Sequence, residues 1–324
     1  MKWVLRIVLG LLALVAIAIG ALFVLRPLEP PLEIVDAGET GRRINEGGVF
    51  GNYFPSTDGE PAPGVLLLGG SEGGLGSASR RMALGLQEAG YSVLQLGFYR
   101  GEGQPRDLVL VPLETFELGL DWLKRQSEVD AERLGVVGAS KGAEAGLILA
   151  ARRSDVDAAV LGAPSSVSWE GINWAFGGVA GESSWSLGGE PYPFLRYGRF
   201  DGETGVYSVY AGGLEALDGH PEAVIPVENG AGPVLLICGE DDTLWPSCPM
   251  ARQIEARAAA KGGPPVTLLA YEDAGHAVFG IPVPADNPSY EKLASLGGSA
   301  DGNAAARLDG WPRLVVFLKT HLGE

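Results

Sequence analysis

Three regimes of hydrophobic patterning succeed one another along the chain. Ile7 to Leu25 is an apolar run of 19 residues without a charge, flanked by Lys2, Arg6 and Arg26. From Leu32 to about Pro63, short apolar runs alternate with Gly, Asp and Pro, which predicts a strand pair near Leu32–Val35 and Val49–Phe54. From Gly64 on, short β-branched or Leu-rich runs alternate with helical periodicity. Strands are expected at Val65–Leu68, Tyr91–Leu96, Leu134–Val137, Ala158–Leu161, Val234–Cys238 and Val266–Tyr271. Helices are expected at Ala78–Ala89, Leu113–Arg125, Lys141–Arg152, Ala251–Lys261 and Ala304–Leu322. Apolar strands without polar alternation belong to a mostly parallel sheet covered by helices on both faces, so the fold class is α/β.

The alternation breaks from about Gly162 to Gly232. These roughly 70 residues hold ten of the 26 aromatics, Trp169, Trp174 and Trp185 among them. A structureless loop of that length is rare unless it forms a lid or binding element. A cap over a substrate is expected there, at about 163–231, with a small satellite core as the alternative; a lid must also bury its own aromatics.

At about 1.5 Å per residue the first run spans roughly 30 Å, the thickness of a hydrocarbon core. It exceeds the usual apolar stretch of a signal peptide, so residues 1–26 are expected to be an uncleaved transmembrane anchor, with a cleaved signal as the alternative. The α-amine, Lys2 and Arg6 outweigh Arg26, which puts the N-terminus in the cytoplasm and the body on the extracytoplasmic side. Residues 27–63 form a linker and leading strand pair, in which Pro27, Pro30 and Pro31 stiffen the exit. Residues 64–322 form the main domain. Cys238 and Cys248, ten apart across one loop, could join as a disulfide in an oxidising space or remain two free core thiols.

Forty acidic against 24 basic residues give a net charge of −16 over 324 residues, with no Lys/Arg cluster to track phosphates, so no nucleic acid is expected as a partner. An apolar fraction of 46% excludes disorder, and no Cys/His spacing suggests zinc. Neither a metal nor an organic cofactor is implied.

The chemistry gathers at the strands' carboxyl ends. Gly138-Ala139-Ser140-Lys141-Gly142 lies between a predicted strand and a predicted helix, the context in which G-x-S-x-G forms a nucleophile elbow. The Lys141 N–H, at the helix N-terminus, can then face a developing oxyanion. Serine needs a base, and of three histidines only His276 follows a strand of the series. His220 lies in the insertion and His321 ends the last helix, where it caps the dipole or is solvated. The strand Val234–Cys238 leads into Gly239-Glu240-Asp241-Asp242, and the order Ser…Asp…His is that of an α/β-hydrolase. The spacing favours Asp242 as the carboxylate, with Asp241 next. The Gly-rich loop Gly69–Gly76 supplies a second oxyanion donor, either Glu72 or Gly73.

With these residues placed, the chain resembles the C-terminal α/β-hydrolase domain shared by acyl-CoA thioesterases and bile acid-CoA:amino acid N-acyltransferase, near the dienelactone hydrolases. The resemblance rests on Leu68-Gly69-Gly70-Ser71-Glu72-Gly73-Gly74, Gly138–Glu144, Gly239–Asp242 with Trp245-Pro246-Ser247, and Gly275-His276. It extends to the tail Leu296-Gly297-Gly298 through Asn303–Ala306 to Trp311. It implies Ser140 as nucleophile, Asp242 as acid, His276 as base and a small-molecule fatty acyl thioester or related ester as substrate. The transferase members use cysteine, so a serine favours hydrolysis. An acyl chain held by Trp169, Trp174 and Trp185 fits this reading. Acyl transfer to an amine or alcohol, and a non-catalytic lipid-binding protein on a hydrolase fold, are the rivals. An outward-facing body would not meet coenzyme A, which is intracellular.

Overall fold

The computed structural model of the protein describes residues 2–26, 29–57 and 59–323. Pro27 lies outside them. The chain opens with α1 (Lys2–Leu25) and a strand pair, β1 (Arg42–Glu46) and β2 (Val49–Phe54). It continues through β3 (Ala62–Leu68), α2 (Ser77–Glu88), β4 (Ser92–Gly97), β5 (Val111–Pro112), α3 (Glu114–Lys124), β6 (Val129–Ala139), α4 (Lys141–Arg152) and β7 (Ala158–Gly162). Then come β8 (Trp185–Leu187), β9 (Glu190–Pro191) and α5 (Val206–Leu214). The chain closes with β10 (Val234–Gly239), α6 (Ser247–Lys261), β11 (Val266–Tyr271) and α7 (Ala300–Leu322).

Eight strands form one sheet in the order β1-β2-β4-β3-β6-β7-β10-β11. β1 and β2 join antiparallel, and β4 through β11 are parallel. Side chains alternate across it. Leu66 and Leu68 of β3 enter a core under α3, α4 and α6, while Val65 and Leu67 enter a second core under α2 and α7. Burial on both faces is why these strands read as continuous apolar runs.

The leading strand pair is corrected in one member. Leu32–Val35 is not a strand; β1 is Arg42–Glu46, whose Glu46 pairs with Val49 across Gly47-Gly48. Both glycines have positive φ (59° and 82°), which a two-residue hairpin turn of this kind requires. Val35 instead lies along the body, with its N–H on the Leu75 carbonyl and its own carbonyl accepting from Arg43 and Asn52. α7 begins at Ala300 rather than Ala304 because the Ser299 side chain caps it, accepting from the Gly302 N–H.

α1 is long and apolar enough to cross a membrane over Lys2–Ala21, with mean hydropathy 2.6 and no burial in the body. Its C-terminal exit is tied down by charge: Arg26 pairs with Glu29 and Asp107, and Arg100 reaches Glu29 at 3.0 Å.

Candidate active site

β6 passes into α4 through a turn at Ser140, whose φ of +55° and ψ of −120° are strained for a residue with a Cβ. Tight approach forces the flanking glycines. A Cβ on Gly142 would stand 2.1 Å from the Gly69 carbonyl oxygen, and one on Gly138 would stand 2.4 Å from that of Gly142. The turn thrusts Ser140 Oγ out at the carboxyl edge of the sheet, 3.0 Å from His276 Nε2.

His276 follows β11 after Gly275, whose N–H is held 3.0 Å from Asn303 Oδ1. Asn303 is fully buried in α7, and its amide also donates to the Gly297 and Ser299 carbonyls. This residue of the tail motif pins the histidine loop, a role only the three-dimensional arrangement reveals. His276 Nδ1 lies 2.9 Å from Asp242 Oδ2. The other Asp242 oxygen accepts from the Leu244 and Trp245 N–H groups at 2.9 and 3.2 Å, so the carboxylate is buried but bonded. Asp241 is exposed, so geometry selects Asp242 between the two. Trp245 packs edge-on against the His276 ring, with centroids 5.7 Å apart.

The loop after β3 brings Glu72 and Gly73 to the same place with different consequences. The Gly73 N–H is engaged, donating to the Gly70 carbonyl at 3.2 Å. The Glu72 carboxyl folds back over Gly69 and Gly70 and accepts from the Gly70 and Glu72 N–H groups. Its surface reaches solvent in the cleft, yet protein surrounds it closely; desolvation raises its pKa, and those N–H bonds offset part of the rise. On the elbow side, Lys141 is the first residue of α4, where no intrahelical acceptor exists for its N–H.

The Lys141 side chain does something sequence reasoning missed. It is buried, with Nζ 2.9 Å from Glu144 Oε2 and 2.8 Å from Ser184 Oγ. Desolvation lowers its pKa and the Glu144 carboxylate raises it in opposition. Glu144 Oε1 accepts from Trp185 Nε1 at 2.7 Å and from the Trp169 N–H at 2.9 Å. Two of the three candidate acyl-binding tryptophans are therefore structural. Trp169 anchors a satellite core with Leu195, Tyr210 and Trp245, and Trp185 packs against Phe98 and Phe116 in the main core. Of the three, Trp174 lines the cavity beside Ser140.

That cavity, about 440 Å³, lies between Ser140 and the segment joining β7 to β10. Ile172, Trp174, Val209, Leu244 and Trp245 make it apolar, and Tyr197 and Tyr210 also line it. A second cavity of about 280 Å³ opens on the other side of Ser140, between His276, Glu72, Met82, Phe279 and Arg307. Among the described residues no group of three or more His, Cys, Asp or Glu is placed to hold a metal. His220 is exposed beside Glu222, and His321 packs on Phe317 with centroids 4.6 Å apart, both outside the cleft. Cys238 and Cys248 form a disulfide from the end of β10 to the start of α6, closing the loop that carries Asp242.

A mostly parallel sheet with helices on both faces and a strained serine turn at its carboxyl edge defines an α/β-hydrolase fold. Residues 111–324 match the family model described as BAAT / Acyl-CoA thioester hydrolase C terminal, and the chain belongs to that family. It is 29% identical over 290 residues to acyl-coenzyme A thioesterase 1 of Homo sapiens, covering 86% of this chain and 65% of that protein. It is 29% identical over 310 residues to bile acid-CoA:amino acid N-acyltransferase of Mus musculus, covering 91% and 70%. A dienelactone hydrolase-like promiscuous phosphotriesterase from metagenomic libraries shares the fold at TM-score 0.55 and 15% identity, covering 88% of this chain and 99% of that one.

Proposed function

We propose that the protein is a serine hydrolase that cleaves acyl thioesters or related carboxylic esters through an acyl-enzyme. The observation that carries this is the continuous line from Ser140 Oγ through the His276 ring to Asp242, with bonds of 3.0 and 2.9 Å. Ser140 Oγ attacks the acyl carbonyl while His276 Nε2 takes its proton, and Asp242 holds the Nδ1 proton and stabilises the imidazolium. The tetrahedral oxyanion is held by the Lys141 N–H and, once the Glu72 carboxyl yields its place, the Glu72 N–H. Collapse expels the thiolate or alkoxide, which leaves with the proton from His276. Water then attacks the acyl-serine, giving a proton to His276, which returns it to Ser140 Oγ as the acyl–Oγ bond breaks and the carboxylic acid leaves. The acyl chain occupies the apolar cavity beside Trp174.

Two observations support a membrane anchor with the body on the outer face: the basic residues Lys2 and Arg6 at the start of an apolar α1, and a disulfide of the kind that persists in oxidising spaces. The similarity to an N-acyltransferase supports a second reading, in which an amine replaces water as acceptor. Adding glycine during turnover distinguishes them: hydrolysis yields only the free acid, transfer an N-acyl glycine.

Labelling with a fluorophosphonate probe tests the central claim. Wild type is expected to be labelled and Ser140→Ala to be unlabelled with its melting temperature retained. An unlabelled, folded wild type would favour a lipid-binding role on the hydrolase fold.

A further inference from the structure

Ser140, Ser71 and Leu244 line both cavities, so the nucleophile stands at their junction. An acyl chain in the apolar cavity leaves the other one for the group that departs. Its wall carries a charge that no carboxylate among the described residues neutralises. Arg307, on α7, is half-buried and donates from Nε to the Ala277 carbonyl at 2.7 Å. Its guanidinium lies over Gly280, where a Cβ would come within 3.2 Å of Nη1.

Acids outnumber bases 40 to 24 in this chain, yet no carboxylate among the described residues pairs with Arg307. The charged neighbour it feels is another cation, Arg81 on α2, which is exposed and has no ion-pair partner among the described residues. Desolvation and Arg81 together push the Arg307 pKa down to about 10, opposite to the effect of a carboxylate. Glu72 shares the cavity, but its carboxyl is held by the Gly70 and Glu72 N–H groups and makes no ion pair with Arg307. A half-buried guanidinium with free donors and a second cation beside it matches an anion in charge and in planar geometry.

We propose that the second cavity is a leaving-group subsite in which Arg307, supported by Arg81, recognises an anionic group, carboxylate or phosphate, on the alcohol or thiol that departs. The inference rests on Ser140 hydrolysis and adds the charge of the leaving group to it.

Three octanoyl thioesters test it on the full chain in detergent. Their thiols are 3-mercaptopropionamide, which is neutral, 3-mercaptopropionate, and 2-mercaptoethyl phosphate. Wild type should show kcat/KM about tenfold higher for at least one anionic ester than for the amide, and the better of the two names the anion. Arg307→Gln should bring that ratio to about one, Arg307→Lys should restore part of it, and Arg81→Gln should reduce it about twofold. Thermal melting checks each fold. A wild-type ratio near one, or a ratio unaltered in folded Arg307→Gln, overturns the proposal. If Arg307→Gln does not fold, a ratio unaltered in both Arg307→Lys and Arg81→Gln overturns it equally. Retained hydrolysis of all three esters in Ser140→Ala would instead overturn the nucleophile assignment.

Discussion

At Ser140 the backbone holds a conformation with φ of +55° that favours glycine, and such strain costs about 1–3 kcal/mol. This gives a stability prediction separable from chemistry. Ser140→Gly and Ser140→Ala both lack the hydroxyl, but only glycine relieves the turn. Its added freedom in the unfolded chain offsets part of the gain. Ser140→Gly should therefore be the more stable by about 1 kcal/mol in denaturant unfolding, and equal stabilities would mean that the turn is unstrained. Much at this scale was legible in the sequence. A serine between two glycines, the histidine after β11 and acids after β10 carry chemistry in their spacing, and the structure brings Ser140, Asp242 and His276 together. The insertion's tryptophans were less legible, since composition marks them as apolar without saying which side of a wall they occupy. Trp169 and Trp185 are held by Glu144, a partner distant in sequence. That no carboxylate among the described residues pairs with Arg307 is a fact of three dimensions only.

Among elements, α4 does more than follow the strained turn at Ser140. Lys141 and Glu144 lie one turn apart on it, and their buried pair fastens the segments carrying Trp169, Ser184 and Trp185 to the elbow. Breaking one side of such a pair leaves an uncompensated charge in a dry site, at a cost of about 3–5 kcal/mol. Glu144→Gln keeps an acceptor for the tryptophan N–H groups yet strands the Lys141 ammonium, so its loss should fall in that range. Lys141→Met combined with Glu144→Gln removes both charges and should recover part of it. Urea unfolding of Lys141→Met, Glu144→Gln and the double variant measures the coupling, and a loss below about 1 kcal/mol in Glu144→Gln would remove this fastening role. Strand–helix alternation revealed most elements, because strands buried on both faces leave runs that turn residues punctuate. It misplaced β1, where the polar run Arg42–Glu46 has little apolar signal and the Gly47-Gly48 turn was the better guide.

For the molecule as a whole, α1, its charged tether and the disulfide bear on which side of a membrane the body works. Arg26, Glu29, Asp107 and Arg100 tie the end of α1 to the hydrolase body. Cys238 and Cys248 are both fully buried and joined across the loop carrying Asp242. Closing a loop of this size contributes about 2–3 kcal/mol, and bonds of this kind persist in oxidising compartments. In cells, the pair should resist maleimide until a reductant and denaturant are added, and protease applied to the outer face should digest the body. The protein should also stay in the membrane pellet after alkaline carbonate extraction. A lysine at Leu14, near the middle of α1, costs about 2.5–3.5 kcal/mol of insertion and should shift part of it to the soluble fraction. Thiols that react without reductant, on a body sheltered from outside protease, would reverse the topology and put coenzyme A thioesters within reach. A protected pair on an exposed body leaves those thioesters on the wrong side of the membrane, and the acyl donor must then carry another leaving group, which the Arg307 cavity would select by charge.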